Sequence, residues 1–184
     1  MIKIYTKTGD NGQSSLLGGK RVQKSCLEME VIGEIDELNA SVGLIITKIL
    51  DEKRFKETKR QLLKTQHNLF VIGSNLAAVQ TELVEIPKLK NIDIKKLEDW
   101  IDKMEENLTP LSNFILPGGT EIATRSYLTR TVCRRVERKL IDMTTRYQLD
   151  PLIQQYLNRL SDYLFVLARW FNKIEGNIET KWQK

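Results

Sequence analysis

The most regular hydrophobic pattern in this chain lies in residues 150–171, DPLIQQYLNRLSDYLFVLARWF. Its apolar residues recur in steps of three and four, so they align along one side of an α-helix. They are Ile153, Leu157, Leu160, Leu164, Leu167 and Phe171. Asp150 is a good N-cap residue, and Pro151 suits the first helical position because that position needs no N–H donor. The stretch therefore predicts a long amphipathic helix that packs against other helices.

Four further segments carry helical spacing, at about residues 25–50, 55–79, 93–108 and 120–147. Apolar steps close to 3.5 residues favour packing at shallow angles, as in an up-and-down bundle. No segment alternates convincingly between polar and apolar residues, so no strand is predicted. We expect an all-α, single-domain protein. Its five-helix bundle should cover residues 25–173, after an irregular N-terminal segment at 1–24 and before a C-terminal tail at 174–184.

The composition is typical of a globular protein. The 184 residues include 29 Lys+Arg and 24 Asp+Glu, which gives a formal net charge of +5. Two cysteines are too few for the disulfide framework of a small secreted domain. The first residues contain no apolar stretch of signal-peptide length, and no later apolar run approaches the ~20 residues that cross a bilayer. We therefore expect a cytoplasmic protein without a membrane partner.

Residues 1–24 contain four of the ten glycines, together with serines, threonines and several basic residues. Glycine lets the backbone approach phosphate oxygens, while hydroxyl and ammonium groups donate hydrogen bonds to them. The segment is therefore suited to bind a polyphosphate, although a flexible N-terminal arm would have the same composition. It is not a Walker loop, because Gly18, Gly19 and Lys20 lack the upstream glycine at the required spacing.

The fourth predicted helix carries a concentration of arginines. Arg130, Arg134, Glu137 and Arg138 are spaced to project from one side of that helix, with Arg135 beside them. A solvated helix face is the commoner explanation for a run of charges. The use of arginine rather than lysine, however, favours planar, bidentate contact with phosphate or carboxylate.

Three other features interrupt the bundle pattern. Residues 114–119, FILPGG, join the third and fourth helices and form either a simple turn or part of a site. Asn158, Asp162 and Phe165 form a polar and aromatic stripe on the fifth helix, which indicates a pocket wall or a subunit contact. Gly33 lies inside the first helix, where glycine costs about 1 kcal/mol relative to alanine. We expect it to permit close approach of another backbone or a ligand.

Several kinds of catalytic site can be set aside. His67 is the only histidine, which excludes paired Glu-x-x-His di-iron sites and His-rich zinc sites. Cys26 and Cys133 belong to no CxxC pair, so no metal or redox role is expected for them. No stretch resembles the nucleophile elbow of serine hydrolases.

Five stretches of the chain resemble the motifs of one enzyme family. In chain order they are TKTGDNGQSSLLGGKRVQK from Thr6, VIGEIDELNA from Val31, FILPGG from Phe114, TRTVCRRVER from Thr129 and YLNRLSDYLFVLAR from Tyr156. Together they resemble the PduO-type ATP:corrinoid adenosyltransferases over nearly the whole chain. The resemblance implies a homotrimeric five-helix bundle that binds ATP between neighbouring subunits.

The resemblance also implies roles for individual residues. Those assigned to the ATP triphosphate and its metal ion are Thr6, Lys7, Thr8, Gly9, Ser14, Ser15 and Lys24. Those assigned to the rest of the nucleotide site are Arg130, Arg134, Arg135, Glu137, Arg138 and Asn158. The implied catalytic residues are Arg130, Arg134, Asn158 and Asp36, with Asp36 pairing with Arg130 across the subunit boundary. Phe114 and Phe165 are assigned to the corrinoid side, and Mg²⁺ would be held mainly by the ATP phosphates.

The implied reaction requires little acid–base catalysis. Cobalt(I) of the reduced corrinoid cob(I)alamin attacks the ribose 5′ carbon of ATP, triphosphate leaves, and adenosylcobalamin forms. Catalysis must then come from positioning and from stabilising negative charge on the leaving group. An aromatic side chain would keep the lower axial ligand off Co(II), because a four-coordinate Co(II) corrinoid is easier to reduce. A cobalamin reductase and an adenosylcobalamin-dependent enzyme are the protein partners that this chemistry suggests.

Two other classes of function fit part of the pattern. A nucleotidyltransferase or phosphotransferase would use the same arginines and N-terminal segment, but only attack at the 5′ carbon releases triphosphate. A helical bundle that binds nucleic acid or a protein would account for the net positive charge and should bind oligonucleotides in a strongly salt-dependent way. Its basic residues are dispersed along the chain, so we expect no nucleic-acid partner.

Overall fold

The computed structural model describes residues 3–49, 53–81 and 85–183. Most of this part of the chain is helical, and a short 3-10 helix at Lys53–Phe55 leads into the second helix. The five α-helices are α1 Leu27–Ile46, α2 Lys56–Ala77, α3 Asn91–Glu105, α4 Glu121–Thr144 and α5 Pro151–Ile174. The predicted all-α bundle is confirmed. Leu50, the predicted end of the first helix, and residues 82–84, between α2 and α3, lie outside the described residues.

The core of the bundle is organised around α5. This helix packs against α3 on one side and α4 on another, while α1 packs against both α4 and α2. The predicted apolar stripe of α5 is buried along its whole length, from Ile153 to Phe171. Two buried tyrosines satisfy their hydroxyls by hydrogen bonding to α2, since Asn68 donates to Tyr156 and Tyr163 donates to Gln61.

Side-chain caps define the starts of the two longest helices. The Asp150 carboxylate accepts a hydrogen bond from the Leu152 N–H at 2.9 Å, and Pro151 is the first residue of α5, as predicted. The Thr120 hydroxyl accepts from the Ala123 N–H at the start of α4. Each cap satisfies one of the N–H groups that have no partner within the helix.

The prediction that the chain contains no strand is wrong in the N-terminal segment. Strand β1, Gln13–Ser15, pairs antiparallel with β2, Arg21–Gln23. Each strand has three residues, too few for an alternating pattern to become visible in the sequence. The chain reverses through Gly18 and Gly19, both with φ near +90° (+87° and +88°), a conformation that glycine adopts without a steric penalty.

The N-terminal hairpin is attached to the bundle. Leu16 is buried, and the Leu17 N–H donates to the Ala77 carbonyl at the end of α2, at 2.9 Å. A side chain at Gly18 would collide with Thr81. This docking favours an ordered loop over the alternative of a flexible N-terminal arm. No helix in the described ranges has the combination of length and apolar character needed to cross a membrane.

Candidate nucleotide and corrinoid site

Two of the predicted arginines of α4 are exposed at the surface without an acidic partner. Among the residues that the structure describes, no carboxylate forms an ion pair with Arg134 or Arg138. Arg138 donates instead to the main-chain carbonyl of Arg134, at 3.1 Å. Their uncompensated positive charge is available to an anionic ligand.

Asn158 of α5 joins this surface. Its amide nitrogen donates to the Glu137 carboxylate of α4 at 3.0 Å, so the two helices present these side chains together. The family resemblance assigns Glu137 and Asn158 to the same site, and in the structure the two side chains are in direct contact.

Arg135 is in a different environment from Arg134. Its Nε lies 2.7 Å from the Glu34 carboxylate, and another guanidinium nitrogen donates to Glu37, both on α1. These two carboxylates raise the pKa of Arg135 above its ordinary value. Within the chain, Arg135 therefore holds α4 against α1, and its role in nucleotide binding stays a prediction.

A cavity of about 610 Å³ lies beside α5, between α3 and the α3–α4 loop. It is lined by Phe114, Phe165, Arg130 and Asp162, among other residues. The guanidinium of Arg130 lies 5.4 Å from the centre of the Phe165 ring, within the range of a cation–π contact. The Arg130 Nε is buried and has no hydrogen-bond partner among the described residues. The cavity thus combines two aromatic rings with an arginine whose hydrogen bonding is incomplete.

Asp36 and Arg130 are not paired within the chain. Asp36 is exposed on α1 and has no ion-pair or hydrogen-bond partner in the described ranges. Gly33, one turn earlier, is also exposed, and a Cβ placed on it would meet nothing within 4 Å. No group of the described chain makes the close approach expected at Gly33, and the pairing of Asp36 across subunits stays a prediction.

The predicted triphosphate residues surround one exposed loop. The hydroxyls of Thr6 and Thr8 are hydrogen bonded at 2.8 Å, and the Lys24 ammonium lies over Gly9, 3.3 Å from where a Cβ would be. Lys7 has φ +60°, which is uncommon for a residue other than glycine and turns the loop at that point. Ser14 and Ser15 lie next in the chain, on β1.

Arg21 is a residue of this loop that the sequence reasoning missed. It donates to the Ser15 hydroxyl at 3.1 Å and to the Thr8 carbonyl at 2.6 Å, so it links β2 to the loop before β1. Its pairing with Ser15 across the hairpin is the signal that would have identified it, but the hairpin was not predicted. Within the described residues, no hydrogen bond or ion pair connects this loop to the α4 arginines.

The profile of the cobalamin adenosyltransferase family matches residues 4–171. The chain belongs to this family. A cobalamin adenosyltransferase of Cupriavidus metallidurans is 40% identical over 184 residues, covering 100% of this chain and 96% of that protein. A corrinoid adenosyltransferase of Bacillus subtilis is 38% identical, covering 100% and 93%, and a human corrinoid adenosyltransferase is 38% identical, covering 99% and 74%.

Solved structures of the family have the same fold as this chain. A phenylalanine-to-alanine variant of the PduO-type ATP:corrinoid adenosyltransferase from Lactobacillus reuteri, complexed with cobalamin and ATP, superposes with a TM-score of 0.93 at 31% identity, covering 99% of this chain and 100% of that one. An arginine-to-lysine variant complexed with ATP gives a TM-score of 0.89 at 30% identity, covering 98% and 100%. The predicted family and fold are both confirmed.

The cysteines of this family member are poorly placed for nucleophilic chemistry. Cys133 is completely buried between α4 and α5, and burial raises the pKa of its thiol well above the ordinary value. Burial is also the main reason why the pKa of Cys26 is raised. Because the thiolate is the reactive form, neither side chain is activated as a nucleophile.

Proposed function

We propose that the protein transfers the 5′-deoxyadenosyl group of ATP to the cobalt of a reduced corrinoid, forming adenosylcobalamin and releasing triphosphate. One observation carries the proposal: Phe114, Phe165 and Arg130 line a single cavity. Arg130 belongs to α4, and further along that helix Arg134 and Arg138 are exposed and form no ion pair with a described carboxylate. The membership of the chain in the cobalamin adenosyltransferase family confirms the activity predicted from the sequence.

The α4 arginines stabilise the leaving group in this proposal. Cobalt(I) donates an electron pair to the ribose 5′ carbon while the bond from that carbon to the triphosphate oxygen breaks, so negative charge accumulates on triphosphate. Arg134 and Arg138 have donors available for that charge, and no proton transfer is needed. Preorganised donors aimed at developing charge are typically the largest single contribution to such a rate enhancement.

The N-terminal loop binds the triphosphate in this proposal. Its hydroxyl, ammonium and backbone N–H donors are suited to phosphate oxygens, and the docked hairpin holds them close together. The donors come from Thr6, Lys7, Thr8, Gly9, Ser14, Ser15 and Lys24. Arg21 stabilises the loop through Thr8 and Ser15.

Magnesium is the metal ion that this donor set fits. The described residues contain no group of three His, Cys, Asp or Glu side chains that could hold a metal ion by themselves. Mg²⁺ commonly binds through substrate phosphates with few protein ligands, and the loop hydroxyls of Thr6, Thr8 and Ser15 are compatible with that mode. When bound, the ion would neutralise part of the triphosphate charge.

The corrinoid occupies the cavity beside α5 in this proposal. Phe114 is 80% exposed and lines this cavity, so its ring is accessible to a ligand there. Its ring supplies an apolar surface that keeps the lower axial ligand from the cobalt, and Phe165 lines the same cavity.

The active unit is a homotrimer in this proposal, with each site shared between two subunits. Asp36 is exposed without a partner, Arg130 has an unsatisfied buried Nε, and the N-terminal loop makes no hydrogen bond or ion pair to the α4 arginines within the described chain. A neighbouring subunit would satisfy all three. The protein would act in the cytoplasm, receive cobalamin from a cobalamin reductase and deliver its product to an adenosylcobalamin-dependent enzyme.

The experiment that tests this function is a product analysis. The protein is incubated with ATP, Mg²⁺ and chemically reduced cobalamin, and the cobalt–carbon bond is followed by its absorption spectrum while phosphate products are separated by ion exchange. Adenosylcobalamin and tripolyphosphate should appear in equal amounts. Formation of pyrophosphate or a phosphorylated product, or salt-dependent oligonucleotide binding without ATP binding, would support the alternative classes instead.

A further inference from the structure

The C-terminal tail returns to the segment that carries Phe114, although it lies beyond the family match, which ends at residue 171. Ile115 and Lys181 form an antiparallel bridge. On either side of this bridge, the Leu116 N–H donates to the Thr180 carbonyl and the Trp182 N–H donates to the Phe114 carbonyl, both at 2.8 Å. The backbone around Phe114 is therefore paired with the tail.

Trp182 also contacts the Phe114 side chain. The two ring centres are 6.4 Å apart with an interplanar angle of 73°, an edge-to-face arrangement. Among the described residues, Phe114 has no other aromatic ring contact. An exposed phenylalanine on a loop has several accessible rotamers, so the Trp182 ring favours one direction for the Phe114 ring.

The tail is anchored to α5 by a buried arginine. Arg169 is 3% exposed, and its Nε and one terminal nitrogen lie 2.7 Å and 3.1 Å from the two carboxylate oxygens of Glu179. The same terminal nitrogen donates to the Thr109 carbonyl at 2.7 Å. One buried side chain thus connects the tail, the α3–α4 loop and α5.

Asn172 fixes the other end of the loop. It is buried, its amide nitrogen donates to the Gly118 carbonyl at 2.9 Å, and its oxygen accepts from the Thr120 N–H at 3.0 Å. A Cβ on Gly119 would collide with Asn172, so the fit requires glycine there. The loop is held at both ends by α5, and only its middle, at Phe114, depends on the tail.

We propose that Trp182 is a positioning residue for Phe114, and that the tail at 177–182 holds the Phe114 ring in the corrinoid cavity. The inference rests on the proposed function of that cavity. Phe114 can exclude the lower axial ligand only if its ring stays beneath the cobalt. The tail therefore acts on the route that starts from Co(II), in which the lower ligand must be displaced, and leaves the binding of ATP unchanged.

The test compares two corrinoid routes in Trp182→Ala, Trp182→Phe, Phe114→Ala and the double variant. One assay supplies preformed Co(I) cobalamin with ATP; the other supplies Co(II) cobalamin with ATP and a reduced flavin as electron donor. The absorption spectrum of the Co(II) complex with ATP reports four-coordinate cobalt, and calorimetric titration measures ATP affinity. Far-UV circular dichroism confirms the fold of each variant.

Trp182→Ala should slow the Co(II) route by on the order of tenfold or more relative to the Co(I) route, because a small misplacement of a positioned group has a large kinetic effect. It should also weaken the four-coordinate signal, and Trp182→Phe should restore most of both because it keeps an aromatic ring. The double variant should be no slower than Phe114→Ala, since Trp182 acts through Phe114.

Three results would overturn the positioning role of Trp182. They are equal losses of rate on the two routes in Trp182→Ala, an unchanged four-coordinate signal in that variant, and additive losses of rate in the double variant. Glu179→Gln provides a second variant that loosens the tail at a distance from both rings, and it should shift the ratio of the two routes in the same direction. If the wild-type protein forms no adenosylcobalamin from preformed Co(I), the proposed function itself fails. A working wild type with an unaffected Trp182→Ala variant refutes only the role of the tail.

Discussion

Replacing Arg134 by alanine should separate catalysis from folding. The Arg134 side chain is exposed and has no acidic partner in the described part of the chain, and the hydrogen bond that it receives from Arg138 ends on its main-chain carbonyl. The substitution therefore removes no strong interaction from the folded chain. We expect the free energy of unfolding to change by no more than about 0.5 kcal/mol, as for most surface positions.

The effect on the reaction should be much larger. A single preorganised donor to developing negative charge contributes roughly 3–4 kcal/mol, so the turnover number should fall about 10²- to 10³-fold. Arg134→Lys keeps the charge but loses the planar, bidentate fork, and it should fall between the wild type and Arg134→Ala. The loss in turnover, expressed as a rise in activation free energy, should therefore be several times the loss in free energy of unfolding. That difference is the signature of a role in the transition state.

The assay measures kcat and KM for ATP with preformed Co(I), together with urea unfolding of the same samples. Arg125→Ala is a matched control on the same helix. The Arg125 guanidinium pairs with Glu121 at 2.7 Å across one helical turn, and an exposed ion pair of this kind contributes little to stability. This control should keep its turnover. Near-normal turnover by folded Arg134→Ala, or an equal loss in Arg125→Ala, would refute the role of Arg134.

Three further outcomes are expected. Asp36→Asn should shift the proposed trimer toward monomer in sedimentation and should lower turnover, because breaking an ion pair that is buried, here by the proposed contact between subunits, typically costs 3–5 kcal/mol. A fully active monomer would contradict a shared site. Deletion of residues 1–24 should abolish ATP binding in calorimetry while the helical circular dichroism signal persists. An unchanged affinity for ATP would exclude the loop from the ATP site. The hydrogen bond from Tyr147 is the main reason why the pKa of Glu28 is lowered to about 2, from 4.5. The stabilisation from ionised Glu28 is therefore complete above about pH 4.5 and is lost as the pH falls toward 2. Tyr147→Phe should lower the free energy of unfolding at pH 7 by about 1 kcal/mol and should weaken its dependence on pH, as measured by urea unfolding. The same pH dependence in the variant and the wild type would refute this role of the Tyr147 hydrogen bond.

The helices were predictable because their signals are local. The apolar stripe of α5 repeats over six positions, and Asp150 and Pro151 mark its start in the sequence as they do in the structure. The hairpin of the N-terminal segment was not predictable in this way. Its strands have three residues each, and what stabilises it is the burial of Leu16 and the hydrogen bond from Leu17 to the end of α2. Both interactions join parts of the chain that are distant in sequence.

The candidate site, too, was predictable only where its signals are local in the sequence. Helical spacing placed Arg134 and Arg138 on one face, and the structure leaves both exposed without acidic partners in its described ranges. Arg135 is adjacent in sequence, but the rotation of about 100° per helical residue directs it toward Glu34 and Glu37 on α1. The assignment of particular residues to ATP or the corrinoid came from family resemblance, since residue type and spacing alone also fit a solvated face.

The sequence by itself determined five helices, their order and the concentration of arginines on α4, because periodicity and capping depend on residues within a few turns. Only the tertiary structure decided that Phe114 and Phe165 share a cavity with Arg130, and that the tail pairs with the loop before α4. These contacts depend on how α3, α4 and α5 pack. A buried Arg169 that binds Glu179 and the Thr109 carbonyl has no signature in the sequence, because its partners become neighbours only when the bundle closes.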